Sequence, residues 1–401
     1  MSETYVRFPH SSRFRIPTPN PLVTLLAAAL LAASCGKSSH DAAAPVAFAN
    51  GTSGFAGLAF AVTDLSFGSS SWYFDDFHKG DVTTLFSGES GDPWLASSGG
   101  KIYGFNRTSS SLNYRVIDPA APASAVQMAT PGAKSGDPHA LLGIGEGRTL
   151  LANNVAGTVT IADLATGGTL GSIGLKPASG SLHPELMTYR DVPGGKEIFV
   201  VHQGIDFGAG GFVFNGTQAI YVLKDDGTTI TPVDVDTAKD GLQGIPLTVS
   251  NPTLLSATVD GKALIVGRCY GDPACKSGVE EFDLTAHTTK LLVDFAALGI
   301  TSSFGETHGP DGTIHVLGMV GGKKVVTRVD LAAKTLTTVH ELSTNNSGSF
   351  ALMYDGSSLY VGEVDDDKVH GYFAVYRNGA TTPERWDTAG IPYAGAFVSA
   401  P

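Results

Sequence analysis

Residues 147–173 read GRTLLANNVAGTVTIADLATGGTLGSI, and residues 260–292 read DGKALIVGRCYGDPACKSGVEEFDLTAHTTKLL. In both, a glycine turn leads into a short apolar run, and a second run closes on Asp-Leu before a Thr-rich hairpin. Val, Ile, Leu, Phe and Thr fill the runs, as half-buried strands require, and Gly, Asp and Pro punctuate them. Similar runs recur outward in both directions: GLAFAVTD, SLNYRVID, EIFVVHQG, QAIYVLKD, TIHVLGMV, VVTRVDL, SLYVGEV and YFAVYRN. After residue 50 no segment carries a long apolar stripe of helical period; only Leu291–Leu298 could form a short helix, and it is ambiguous. The body is therefore all-β.

The runs are periodic. A strand ending in Asp or Asn falls at Asp75, Asp118, Asp163, Asp226, Asp283, Asp330 and Asn378, with gaps of 43, 45, 63, 57, 47 and 48 residues. A proline opens inner runs at Pro93, Pro138, Pro184 and Pro252, in steps of 45, 46 and 68. Both series stretch in the same place, so one unit carries an insertion of about 20 residues, for which the Gly-rich segment 202–218 is the obvious candidate. Units of this length with three or four strands each predict a β-propeller. Seven marks predict seven blades, with six or eight left open. Two β-sandwich domains would explain short strands but not the steady period. A ring must close to hide its sheet edges, so the segment around 57–64 is expected to pair with residues 394–399 in one mixed blade.

Composition limits the function. The chain has 401 residues, 26 Lys+Arg against 38 Asp+Glu, and a formal charge of −12. A net acidic body argues against nucleic acid as a partner. There is no Walker loop, no Gly-x-Ser-x-Gly elbow and no His-Glu-x-x-His pair. The cluster Gly143-Ile-Gly145-Glu-Gly147 lies between strands and reads as a hairpin turn. The acidic stretches at 234–241 and 363–367 lack the spacing of an EF-hand loop and read as solvated loops.

The start of the chain reads as an address. Arg7, Arg13 and Arg15 precede an apolar run from Pro21 to Ala33, too short to span a bilayer but suited to a signal peptide. The following Leu31-Ala-Ala-Ser-Cys35-Gly36 resembles the lipobox of bacterial lipoproteins, although Ala32 stands where Leu is most usual. The resemblance implies a lipoprotein signal peptide over 1–34, a Cys35 lipidated by palmitate-type chains, and a tether over 35–54 before the propeller of 55–401. Attachment would rest on the acyl chains, because the removed segment holds three Arg and one Glu and leaves a body of charge −14. Gly36, not Asp, follows the cysteine, which favours the outer membrane. Cys269 and Cys275 flank a turn containing Gly271 and Pro273, and in an oxidising compartment a disulfide is the expected state. A monomer is expected.

The repeating units themselves resemble YVTN-type and lactonase-like bacterial propellers over residues 55–399. That likeness is to an architecture. In such a ring, residues about 45 apart gather where the innermost strands open onto the central channel. Asp92 and Trp94, Asp137 and His139, His183 and Glu185, Asn251, and Glu306 with His308 would meet there. Two readings follow. The first, preferred for want of a catalytic motif, is a lipid-anchored binding or scaffold module for a protein, glycan or small ligand. In the second, His139, His183, Glu185, Glu306 and His308 hold a divalent metal ion and the ring is a hydrolase or lyase of lactonase-like type. In a purely structural role, Asp and Asn before proline would cap turns and His would fill the channel mouth.

Overall fold

The computed structural model describes residues 55–399 apart from 65, 67, 90–91, 107–112, 122–125, 130–136, 176–181, 209–210, 215, 240, 257–260, 271–273, 310–311 and 344–350. Seven antiparallel sheets built on four strands each make seven blades. Blades 2, 3, 5, 6 and 7 each run in sequence from the innermost strand outward: 93–129, 138–173, 252–294, 300–341 and 352–388. Blade 4, residues 184–246, gains a two-residue strand, Ile245–Pro246, and the expected insertion forms a separate hairpin of Ile205–Gly208 with Gly211–Phe214.

Blade 1 is the mixed one. Its innermost strand is the C-terminal Ile391–Ser399, paired to Phe55–Thr63 with Leu58 opposite Phe397 and Ala61 opposite Ala394. The ring is therefore closed by the two ends of the described chain, as the edge argument requires.

The core lies between the blades, in seven apolar clusters, one at each blade-to-blade interface. The two-residue period of a strand divides each sheet between its neighbours. In blade 1, Phe60 and Val62 face blade 7, whereas Ala59 and Ala61 face blade 2. The run Trp72-Tyr73-Phe74 is split the same way, with Trp72 and Phe74 toward blade 2 and Tyr73 toward blade 7. Trp386 packs edge-on against Phe60 at 5.1 Å across the closure. Trp72 lies so close to Gly104 of blade 2 that a Cβ there would meet its ring at 2.2 Å.

The acidic marks have a local cause. Each stands at or near the end of its blade's third strand, counted from the channel, and in several blades its carboxylate caps the turn that follows. Asp163 accepts from the N–H groups of Ala165 and Thr166, Asp226 from Thr228 and Thr229, and Asp283 from Thr285 and Ala286. In blade 1 the capping residue is Asp76, which accepts from His78 and Lys79; Asp75 is buried in the sheet instead. The ambiguous stretch 291–298 is the end of an outer strand, Thr288–Asp294, and a single 3-10 turn at Ala296–Leu298. Its apolar residues fill a blade edge because the next inner strand begins at Ile300 and leaves no room for a longer helix.

Candidate functional site

The innermost strands carry a shared irregularity that aims side chains at the axis. Five of them carry β-bulges: the extra residue is His139 in blade 3, Glu185 in blade 4, Thr253 in blade 5 and Tyr393 in blade 1, each near the opening of its strand, and Phe304 in blade 6, which sits in mid-strand beyond a separate bulge at Thr301. A bulge leaves one residue unpaired and turns its side chain out of the regular alternation. All five line one cavity of about 340 Å³ at the channel mouth, together with Trp94, Arg268 and Glu306. Blade 2 contributes Trp94 without a bulge, from a regular pairing opposite Phe105.

A polar belt ties these residues blade to blade. Asn154, Gln203 and Arg268 each follow the second strand of their blade, and each donates its backbone N–H to the residue before the inner strand, namely Asp137, His183 and Asn251. Their side chains then reach into the next blade. Asn154 donates to Glu185 at 3.1 Å and to Gln203 at 3.0 Å. Gln203 donates to Asn251 at 2.9 Å. Arg268 grips Glu306 with Nε at 3.1 Å and Nη2 at 2.6 Å, and Thr253 donates to the same carboxylate at 2.5 Å. Burial works against the Arg268 charge, but Glu306 beside it more than compensates and holds the guanidinium proton more firmly than usual.

His139 sits between two carboxylates. Its Nδ1 meets Glu185, and its Nε2 lies 3.2 Å from Asp137. Each ring nitrogen therefore faces a carboxylate that can accept from it.

The sequence candidates therefore part company. Trp94, His139, Glu185 and Glu306 line the cavity. His183 does not: it is buried, its Nδ1 on the Asn154 carbonyl at 3.1 Å and its own N–H donated to His202. Asn251 and Asp137 precede prolines with φ of +43° and +46°, left-handed values that Asn and Asp tolerate, so both shape the turn into the strand. The channel-facing residue of blade 5 is Thr253, two places on. Glu306 and His308 do not open their strand as expected; they stand near the end of a nine-residue strand, Ile300–His308. Two-residue alternation carries Glu306 inward from Phe304 and leaves His308 at the opposite end, where its Nδ1 lies 3.4 Å from the Gly309 carbonyl. Arg268 and Phe304 escaped sequence reasoning, since no proline stands just before them, and Tyr393 was passed over although Pro392 directly precedes it. Among the described residues no three His, Cys, Asp or Glu side chains converge as metal ligands. His139 is turned between its acids and Glu306 is gripped by Arg268, so the donor set at the mouth does not fit the divalent ion of the second sequence reading. Cys269 and Cys275 are joined as a disulfide beside Arg268. Cys35 lies outside the described residues.

No family model matches the chain, and no curated protein matches it. Solved structures do resemble it. A candidate 6-phosphogluconolactonase of Bacteroides uniformis superposes with a TM-score of 0.55 at 16% identity, covering 86% of this chain and 100% of its own. A second, from Bacteroides fragilis, gives 0.53 at 18% identity, covering 87% and 100%. A protein from Lactobacillus plantarum gives 0.55 at 16% identity, covering 86% and 99%. At such identities the likeness establishes the fold alone: the chain is a seven-bladed β-propeller built like the lactonase-like propellers.

Proposed function

We propose that the channel mouth binds a small, neutral, hydroxyl-rich molecule such as a sugar unit of a glycan, on a ring held at the outer membrane by lipidated Cys35. The observation that carries this reading is the lining itself. Aromatic faces from Trp94, Phe304 and Tyr393 stand beside the hydrogen-bonding His139, Glu185 and Arg268 in one cavity of about 340 Å³. Apolar plates with a few placed polar groups suit a small organic ligand. Charge argues against a phosphorylated one. Asp137, Glu185 and Glu306 outweigh the cations there, and Arg268 is already engaged by Glu306. A phosphate would have to displace a carboxylate from the guanidinium. The test is a calorimetric titration with neutral mono- and disaccharides. Saturable binding that Trp94→Ala abolishes supports the reading; tighter binding of sugar phosphates than of their neutral parents would overturn it.

A second reading, a metal-independent hydrolase or lyase, is favoured by the Asp137–His139–Glu185 chain, which places an oriented acid–base group at the cavity wall. Lactone hydrolysis that disappears in His139→Gln would support it, and unchanged turnover would remove it. The anchor is tested separately: Cys35→Ser should release the folded protein from membranes, and continued attachment would count against lipidation.

A further inference from the structure

A second cavity, of about 390 Å³, opens between blades 6 and 7, away from the mouth. Strand register explains its chemistry. In blade 6, His315 stands opposite Arg328, which stands opposite Thr337. In blade 7, Tyr354 stands opposite Leu359, which stands opposite Tyr376. Residues directly opposite in antiparallel strands share a face, so two cross-strand rows confront each other across the cleft. His315 meets Tyr354 edge-on at 4.7 Å.

Among the described residues the lining contains no Asp or Glu, although the chain as a whole is strongly acidic. Arg328 is exposed and makes no ion pair among the described residues, whereas Arg148, Arg190, Arg268, Arg377 and Arg385 all do. Hydroxyl-bearing residues line the cleft with it, Thr337 and Thr338 from blade 6 and Thr381 from blade 7, while the Ser357 hydroxyl is spent on Asp355 at 2.9 Å. The nearby acids are turned elsewhere. Asp355 accepts from the N–H groups of Ser357 and Ser358 in its own turn. Glu363 is held by His340 at 2.6 Å, and the other ring nitrogen of His340 meets the Tyr376 hydroxyl at 2.7 Å. Repeat geometry does not account for the set. At the corresponding place in blade 5 the row reads Leu264, Glu281 and Lys290, where Glu281 pairs with Lys262.

We infer that the cleft between blades 6 and 7 is a second ligand site, for a small organic oxyanion, with Arg328 as its charge anchor and the flanking hydroxyls as donors. A guanidinium grips a carboxylate or phosphate with two parallel N–H bonds. Because salt screens charges beyond about 8 Å, the acid-free lining governs the anion more than the distant negative surface does. The volume suits a molecule of monosaccharide size. This inference is independent of the channel mouth and survives or fails apart from it.

The test is isothermal titration of the described protein with two probes, inorganic phosphate and D-gluconate, at low chloride. The expected result is saturable one-to-one binding of at least one probe. The preferred probe identifies the oxyanion as phosphate or carboxylate. Arg328→Gln should weaken it by about tenfold or more, and Arg328→Lys by less, since lysine keeps the charge but not the fork. Lys290→Gln, which removes a cation from the matching row of blade 5, should leave it unchanged. Arg328 is on the surface, so its variants should melt with the parent protein. Absence of saturable binding by both probes, or equal weakening in the Arg328→Gln and Lys290→Gln proteins, overturns the assignment.

Discussion

Glu306 of blade 6 gathers the polar chemistry of blade 5 in one carboxylate, taking Thr253 and two nitrogens of the Arg268 fork. Its side chain is 1% exposed, so its removal would strand a poorly solvated guanidinium. Glu306→Ala should cost about 3–5 kcal/mol, the usual penalty for breaking such a pair from one side, and chemical denaturation would read it. A loss below about 1 kcal/mol would show that Arg268 finds water or another acid. Asp75 presents the opposite situation. It is fully buried, and neither carboxylate oxygen has a hydrogen-bond partner among the described residues. Burial pushes its carboxyl up from 3.8 to about 7, against the pull of Arg377. The native state therefore holds this proton more tightly than the unfolded chain does. Its contribution is complete below pH 4 and is lost as pH rises through 7, a change on the order of 4 kcal/mol. Melting temperature should accordingly fall between pH 5 and pH 8, and Asp75→Asn should remove most of that fall. An unchanged slope in the variant would assign it to other groups.

At the scale of elements, what could be foreseen followed from what repeats. The blade length was legible because third strands end on a turn-forming Asp or Asn, and Asp163, Asp226 and Asp283 cap the next turn with their carboxylates. The position of the insertion was legible because both periodic marks stretch there together. At the mouth, the prolines that announce inner strands pointed to Trp94, His139 and Glu185; Glu306 was named without such a mark, and Tyr393 was missed despite Pro392. Thr253 was missed in favour of Asn251 because a bulge, a feature of pairing and not of composition, decides which residue turns inward. Arg268 was missed because its reach to Glu306 joins residues 38 apart in different blades. Two changes probe single elements, the second of them beside Arg268 at the mouth. Gly104→Ala would drive a methyl into Trp72, 2.2 Å away, and should cost about 1–3 kcal/mol through overpacking between blades 1 and 2. A neutral result would mean that the two sheets slide apart freely. Cys275→Ser opens a loop of sequence separation 6 and should cost about 2 kcal/mol, leaving far-ultraviolet circular dichroism unaltered. Loss of β signal would show that the disulfide supports far more than its own turn.

For the whole molecule, seven interfaces share the apolar burial and no single sheet is self-sufficient. The weakest link is topological: blade 1 has only three strands without Ile391–Ser399. Deleting that strand would expose the Phe55–Thr63 edge and the closure cluster around Phe60 and Trp386. The truncated protein should melt at least about 10 °C lower or associate through the open edge, which size-exclusion chromatography and thermal scans would register. A monomer with the parent melting point would show that the ring does not depend on its clasp.

That clasp also imposes a timetable. The strands of residues 55–89 leave the ribosome early, yet the partner that completes their sheet emerges only after about 300 further residues. At ordinary elongation rates of about 5–20 residues per second, this is a wait of roughly 15–60 s. For that interval an adhesive β edge stands unfilled while six later blades accumulate beside it.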